Sequence, residues 1–151
     1  METNFNFKSQ ICTSKSQSET LLKLGLKKET ADCYLFEYDK EKYKVIAESW
    51  LDLIADEKYY SQYKDVCFPA WSLGRLIEML PGLIYPKEEL PSFSGYAYLN
   101  LTQIVVWYNY IDYDMEDRTL ISWRGNGIFS AVVDAIEWLI KEGYFNKEYL
   151  E

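Results

Sequence analysis

The stretch from residue 128 to 142 limits the fold more than any other part of the chain. Its apolar side chains, Phe129, Val132, Val133, Ile136, Leu139 and Ile140, recur at helical spacing, with Asp134, Glu137 and Lys141 on the other side. Gly143, followed by Tyr144, fits a left-handed helix stop. A helix with so wide an apolar stripe gains most of its stability by packing, so it must cover an apolar surface. The segments before it supply one. Residues 96–99, 104–110 and 119–124 are rich in aromatic and β-branched side chains and read as strands. A turn crowded with carboxylates (Asp112, Asp114, Glu116, Asp117) joins the last two, and Gly125-Asn126-Gly127 turns the chain into the helix. That order predicts an antiparallel meander closed by a helix.

The first half is punctuated differently. Residues 1–13 look extended, with Phe5, Phe7 and Ile11 near alternate positions. Ser16 and Glu19 have the spacing of a capping box for a first helix. Gly25 fits its stop, with Leu26 folding back on Leu21. Residues 33–38 read as a strand, 39–42 as a charged turn and 43–46 as a returning strand. Ala47, Trp50, Leu51 and Ile54 sit at i, i+3, i+4 and i+7, which favours a short helix within 47–57. Residues 59–63 have no clean period. Phe68-Pro69-Ala70-Trp71-Ser72 reads as the approach to another helix, with Ser72 as its cap, Trp71 stapled on Leu76, and Pro81-Gly82 as its end. Residues 85–95, containing Pro86, Pro91 and Gly95, are the most loop-like region.

Two blocks of strands separated by helices predict an α+β fold: a single domain over 1–151, a mainly antiparallel sheet, and helices packed on one face. A repeating βα pattern with a parallel sheet is the weaker alternative. No internal repeat, low-complexity tract or linker divides the chain.

Composition narrows the functional classes. The formal charge of −8 is uneven. Residues 1–64 hold ten Lys against eleven acids, a net of −1, and residues 65–151 hold six basic against thirteen acidic groups, a net of −7. Such a field disfavours direct binding of nucleic acid, although an acidic surface could imitate DNA. Cys12, Cys33 and Cys67 are odd in number and widely spaced, unlike a disulfide framework or a zinc site, and read as reduced thiols. No apolar run approaches the ~20 residues that span a bilayer, and the start shows no secretory signal, so the expected compartment is the cytoplasm with no membrane partner.

There is no histidine. The usual Ser-His-Asp and Cys-His arrangements are therefore closed, as are the common His-based metal sites. Gly125-Asn126-Gly127 could present amides to an anion, but no Walker lysine or third fingerprint glycine follows. Asp112, Asp114 and Glu116 have the opening spacing of a calcium loop, yet Asp117 stands where glycine is required and Trp123 where a bidentate carboxylate belongs. No cofactor, metal ligand or catalytic residue is assigned. Carboxylates with many rings leave open an enzyme or binder for sugar-like ligands. Cys67 reads as a buried thiol in preference to a nucleophile. Fourteen Tyr, seven Phe and five Trp raise the odds of a binding surface. The candidate surface is Trp107, Tyr108, Tyr110 and Trp123.

Three segments also carry a resemblance. They are Ser14-Lys15-Ser16-Gln17-Ser18-Glu19 with Leu21-Leu22-Lys23-Leu24-Gly25-Leu26 and Thr30-Ala31-Asp32, then Pro69-Ala70-Trp71-Ser72-Leu73-Gly74-Arg75-Leu76-Ile77-Glu78-Met79-Leu80-Pro81, and Val133-Asp134-Ala135-Ile136-Glu137-Trp138-Leu139. Together they resemble small proteins of prophages and mobile elements of gut anaerobic bacteria. The matching motifs are helix entries and exits, so the resemblance implies a bacterial or phage setting and supplies no active residues. The expectation is a non-enzymatic accessory protein that binds another protein. The alternatives are a carboxylate-based enzyme or sugar binder, and an acidic DNA mimic acting as an inhibitor.

Overall fold

The computed structural model describes residues 10–92 and 94–151. In chain order its elements are α1 (Lys15–Lys23), β1 (Cys33–Asp39), β2 (Lys42–Ile46), α2 (Trp50–Ala55), α3 (Glu57–Tyr63), β3 (Cys67–Ala70), α4 (Leu73–Met79), β4 (Leu83–Ile84), β5 (Ala97–Leu101), β6 (Val105–Ile111), β7 (Asp117–Arg124) and α5 (Ile128–Glu142). Two antiparallel sheets form, one in the order β2-β1-β3 and one in the order β4-β5-β6-β7. This is an α+β fold, and the second sheet is the expected meander closed by α5.

Local chemistry explains most element ends. At Gly25 (φ 91°) the Leu26 amide donates to the Leu21 carbonyl at 3.0 Å and the Gly25 amide to Leu22 at 3.0 Å. That is the paired bonding of a Schellman stop, and Leu21 and Leu26 are both fully buried behind it. Gly143 (φ 78°) ends α5 the same way, with Tyr144 donating to Leu139 at 2.8 Å. Ser72 caps α4, as expected, accepting from the Arg75 amide at 3.1 Å.

Four readings change. The cap of α1 is Ser14, not Ser16. Ser14 Oγ accepts from the Gln17 amide at 3.3 Å, and Gln17 Oε1 accepts from the Ser14 amide at 2.9 Å. A second capping-box spacing two residues earlier thus wins, and the Ser16 carbonyl instead accepts from Thr20 Oγ1. The helix expected within 47–57 is shorter, capped by Ser49 and leaving Ala47 outside. Another helix, α3, follows from its Asp56 cap. None of its side chains is fully buried, which is why its sequence shows no apolar period. Its rings pack edgewise instead, Tyr60 on Trp50 and Tyr63 on Phe36. Finally, residues 67–70 form β3 instead of a helix approach. Pro69 is tolerated there because β3 is an edge strand, where a missing amide donor costs no ladder bond. Of the extended segment expected over 1–13, residues 1–9 lie outside the described residues, and Cys12 makes a β-bridge to Ser72.

One buried cluster joins the two sheets, taking in Tyr34 and Trp50 from the first half, Trp71 and Leu76 around α4, and Val106 and Tyr108 from the meander. At its centre lies α5, which buries seven side chains, including Phe129, Val132, Ile136 and Leu139. Polar bonds fix the rest around Trp71. Its amide donates to Thr13 Oγ1 at 3.0 Å and its indole to Thr30 Oγ1 at 2.9 Å, while the Ser72 amide donates to Asp32 at 2.8 Å. A smaller cluster of Cys12, Cys33, Leu35 and Ala70 lies apart from the main core.

The entry to α5 is sterically tight. A Cβ on Gly125 would lie 2.6 Å from Ser130 Cβ and 2.8 Å from the Ala131 amide nitrogen, whereas nothing lies within 4 Å of one on Gly127. Gly127 also has an extended φ of 175°. Gly125→Ala should therefore lower unfolding stability by about 1–3 kcal/mol. Gly127→Ser, which brings a capping hydroxyl, should not lower it. Urea titrations of both variants check this; equal losses would contradict the packing account.

Candidate functional site: the open face of the meander

Antiparallel alternation gives β4–β7 two distinct faces. Towards α5 point Ile84, Ala97, Val106 and Tyr108, all buried. The opposite face carries Leu83, Tyr98, Asn100, Trp107, Asn109, Ile111, Thr119, Ser122 and Arg124. The register sets these side by side: Tyr98 pairs with Asn109, Asn100 with Trp107, Trp107 with Ser122, and Val105 with Arg124. A bulge at Leu120 separates the pair Tyr108–Ile121 from Asn109–Thr119 and keeps the two ends of β7 in phase with β6.

The four aromatic residues singled out in the sequence are divided by this alternation. Tyr108 is fully buried, and its hydroxyl donates to the Pro81 carbonyl at 2.6 Å, which satisfies the polar tip. Burial also pushes the Tyr108 phenol well above the usual tyrosine range. Trp123 stands edge-on to Tyr108 with ring centroids 6.3 Å apart, and Trp138 of α5 covers it at 5.4 Å. Tyr144 continues the stack at 5.4 Å from Trp138. Tyr110, on the same side, is half-buried against the core. These three rings thus pack against the core, and only Trp107 of the four stands on the open face. The alternation along β6 already separates Trp107 from Tyr108 and Tyr110. The side taken by Trp123 depends on the register with Val106, which the chain pattern does not display.

The open face is mixed where water reaches it: Thr119, Ser122 and Arg124 are exposed there, and so are several large apolar side chains. Leu83 is 47% exposed, Ile104 41%, Ile111 42%, Tyr85 65% and Met115 74%. Two shallow depressions lie on it. One, of about 200 Å³, is lined by Ser94, Tyr96, Tyr98, Ile111 and Met115. The other, of about 500 Å³, lies around Trp107 and Arg124. Tyr98 reaches across β6 to donate its hydroxyl to Asp117 of β7, and that bond raises its own pKa.

The other candidate chemistries are absorbed by structure. Asp112, with its calcium-like spacing, staples its own turn: Oδ1 accepts from the Asp114 and Glu116 amides at 2.9 and 3.0 Å, and Oδ2 from Arg118 Nε at 2.7 Å. The Arg118 guanidinium and those amides hold its carboxyl below the usual range. Among the described residues no three Cys, Asp or Glu gather as metal ligands. At the glycine turn, the Gly125 amide donates to the Ile104 carbonyl at 3.2 Å. Cys67 is buried, and burial pushes its thiol up; Cys12 and Cys33 are raised to about 12 and about 11 for the same leading reason. None of the three is poised as a thiolate. Compared with known protein families, curated proteins and solved structures, the chain finds no match.

One polar atom on the open face is left over. Asn109 Oδ1 is buried with no hydrogen-bond partner among the described residues. Such a group costs stability, and a β-branched apolar residue suits a central strand better. Asn109→Val should therefore stabilise the fold by about 1 kcal/mol. A urea midpoint that falls in this variant would contradict the assignment.

Proposed function

We propose that this chain is a non-enzymatic accessory protein, of the kind carried by phages and mobile elements, that works in the cytoplasm by docking another protein on the open face of its four-stranded sheet. The observation that carries the reading is the exposure of Leu83, Ile104, Ile111 and Met115 on the face that also carries Trp107. Several exposed apolar side chains on one face are what interaction sites show, and Trp, Tyr, Met and Arg are the residues that interfaces favour. The surplus of negative charge in residues 65–151 supports a protein partner over nucleic acid.

Crosslinked capture from cells of the source organism tests this. The wild-type chain and Leu51→Lys, an exposed apolar control on α2, should recover the same partner. The double variant Ile104→Lys/Met115→Lys should recover at least about tenfold less. Undiminished capture by the double variant would overturn the reading, as would the lack of any partner specific to the wild type.

A further inference from the structure

The second depression on the open face has an electrostatic character at odds with the half of the chain around it. Its walls include Thr102, Ile104, Trp107, Thr119, Ser122 and Arg124, with one cation and no acid. The chain has three arginines. Arg75 is paired with Glu78 at 3.1 Å, and Arg118 with Asp112 and Glu116 at 2.7 and 2.6 Å. Arg124 has no ion pair among the described residues. Its neighbours Thr119 and Ser122 are exposed, and their hydroxyls make no hydrogen bond among those residues. An unpaired guanidinium, two unused hydroxyls and an indole therefore line one depression, within a segment, residues 65–151, whose net charge is −7.

Resting on the reading of this face as a protein-docking surface, we propose that the Trp107–Arg124 depression is the subsite for an acidic side chain of the partner, an Asp or Glu flanked by an apolar or aromatic residue. The guanidinium presents a planar fork that matches a carboxylate through two parallel hydrogen bonds. Ser122, which points to the same face beside Arg124 on β7, can donate to the same carboxylate. Trp107 and Ile104 supply the apolar wall for the flanking residue, and partial desolvation by that residue strengthens the ion pair. The excess negative charge elsewhere acts as a filter, since it repels an acidic segment that approaches any other part of residues 65–151. The site thus selects one carboxylate in an apolar setting and disfavours a polyanion.

Amide and side-chain NMR shifts of the full chain, titrated with the peptide acetyl-Val-Phe-Glu-Val-amide and its Gln counterpart, test this. The Glu peptide should shift resonances around 102–107 and 119–124, with a Kd about tenfold lower than that of the Gln peptide. Added salt should narrow that gap. Arg124→Gln should abolish the preference for Glu, and its chemical shifts away from β7 should match the wild type, which separates lost recognition from lost folding. Equal binding of the two peptides on the open face would overturn the carboxylate subsite and leave the docking face standing. Shifts confined to other surfaces, or none with either peptide, would also overturn the subsite. The capture experiment decides the docking face separately.

Discussion

The arrangement depends on the burial of α5. Seven of its fifteen residues are withdrawn from water. The helix packs on β6 and β7 along one side and meets α1 and α4 along another. At roughly 1.5–3 kcal/mol for each large apolar side chain, this burial outweighs any single polar contact in the molecule. It also has a geometric consequence. A sheet has two faces, and α5 occupies one of them.

The site follows from that asymmetry. Residues that alternate towards α5 become core, however aromatic they are: Tyr108, Trp123 and Trp138 form an internal stack, with the Tyr108 hydroxyl bonded to Pro81. Residues that alternate away from it, Trp107, Asn109, Ile111 and Arg124, are left for water or for a partner. Two features of this face do not serve folding. Asn109 Oδ1 has no bonding partner and Arg124 no counter-ion among the described residues. A buried oxygen left unsatisfied, like that of Asn109, is a local cost of the kind a binding face retains at the expense of stability.

Much of the fold was legible in the chain, for physical reasons that differ from place to place. The stops at Gly25 and Gly143 and the cap at Ser72 are local bonding devices, so a few residues define them. The α5 stripe and the alternation of β6 are periodic signals long enough to stand out. What could not be read depended on neighbours. The Ser14–Gln17 cap competed with an equally good spacing at Ser16–Glu19. Helix α3 buries rings only edgewise and so leaves no stripe. Strand β3 is short, and Pro69 fits it only because it lies at an edge. The site was half legible. Ring content marked β6 and β7, but which rings face the helix depends on the cross-strand register and on the bulge at Leu120.

The central claim is that one face of the meander is open and the other closed by α5, and methyl NMR with a soluble gadolinium chelate tests it most directly. The account predicts strong relaxation enhancement at the methyls of Leu83, Ile104, Ile111 and Met115, with Val106, Ile136 and Leu139 protected. Protection of the first group to the same degree as the second would contradict it.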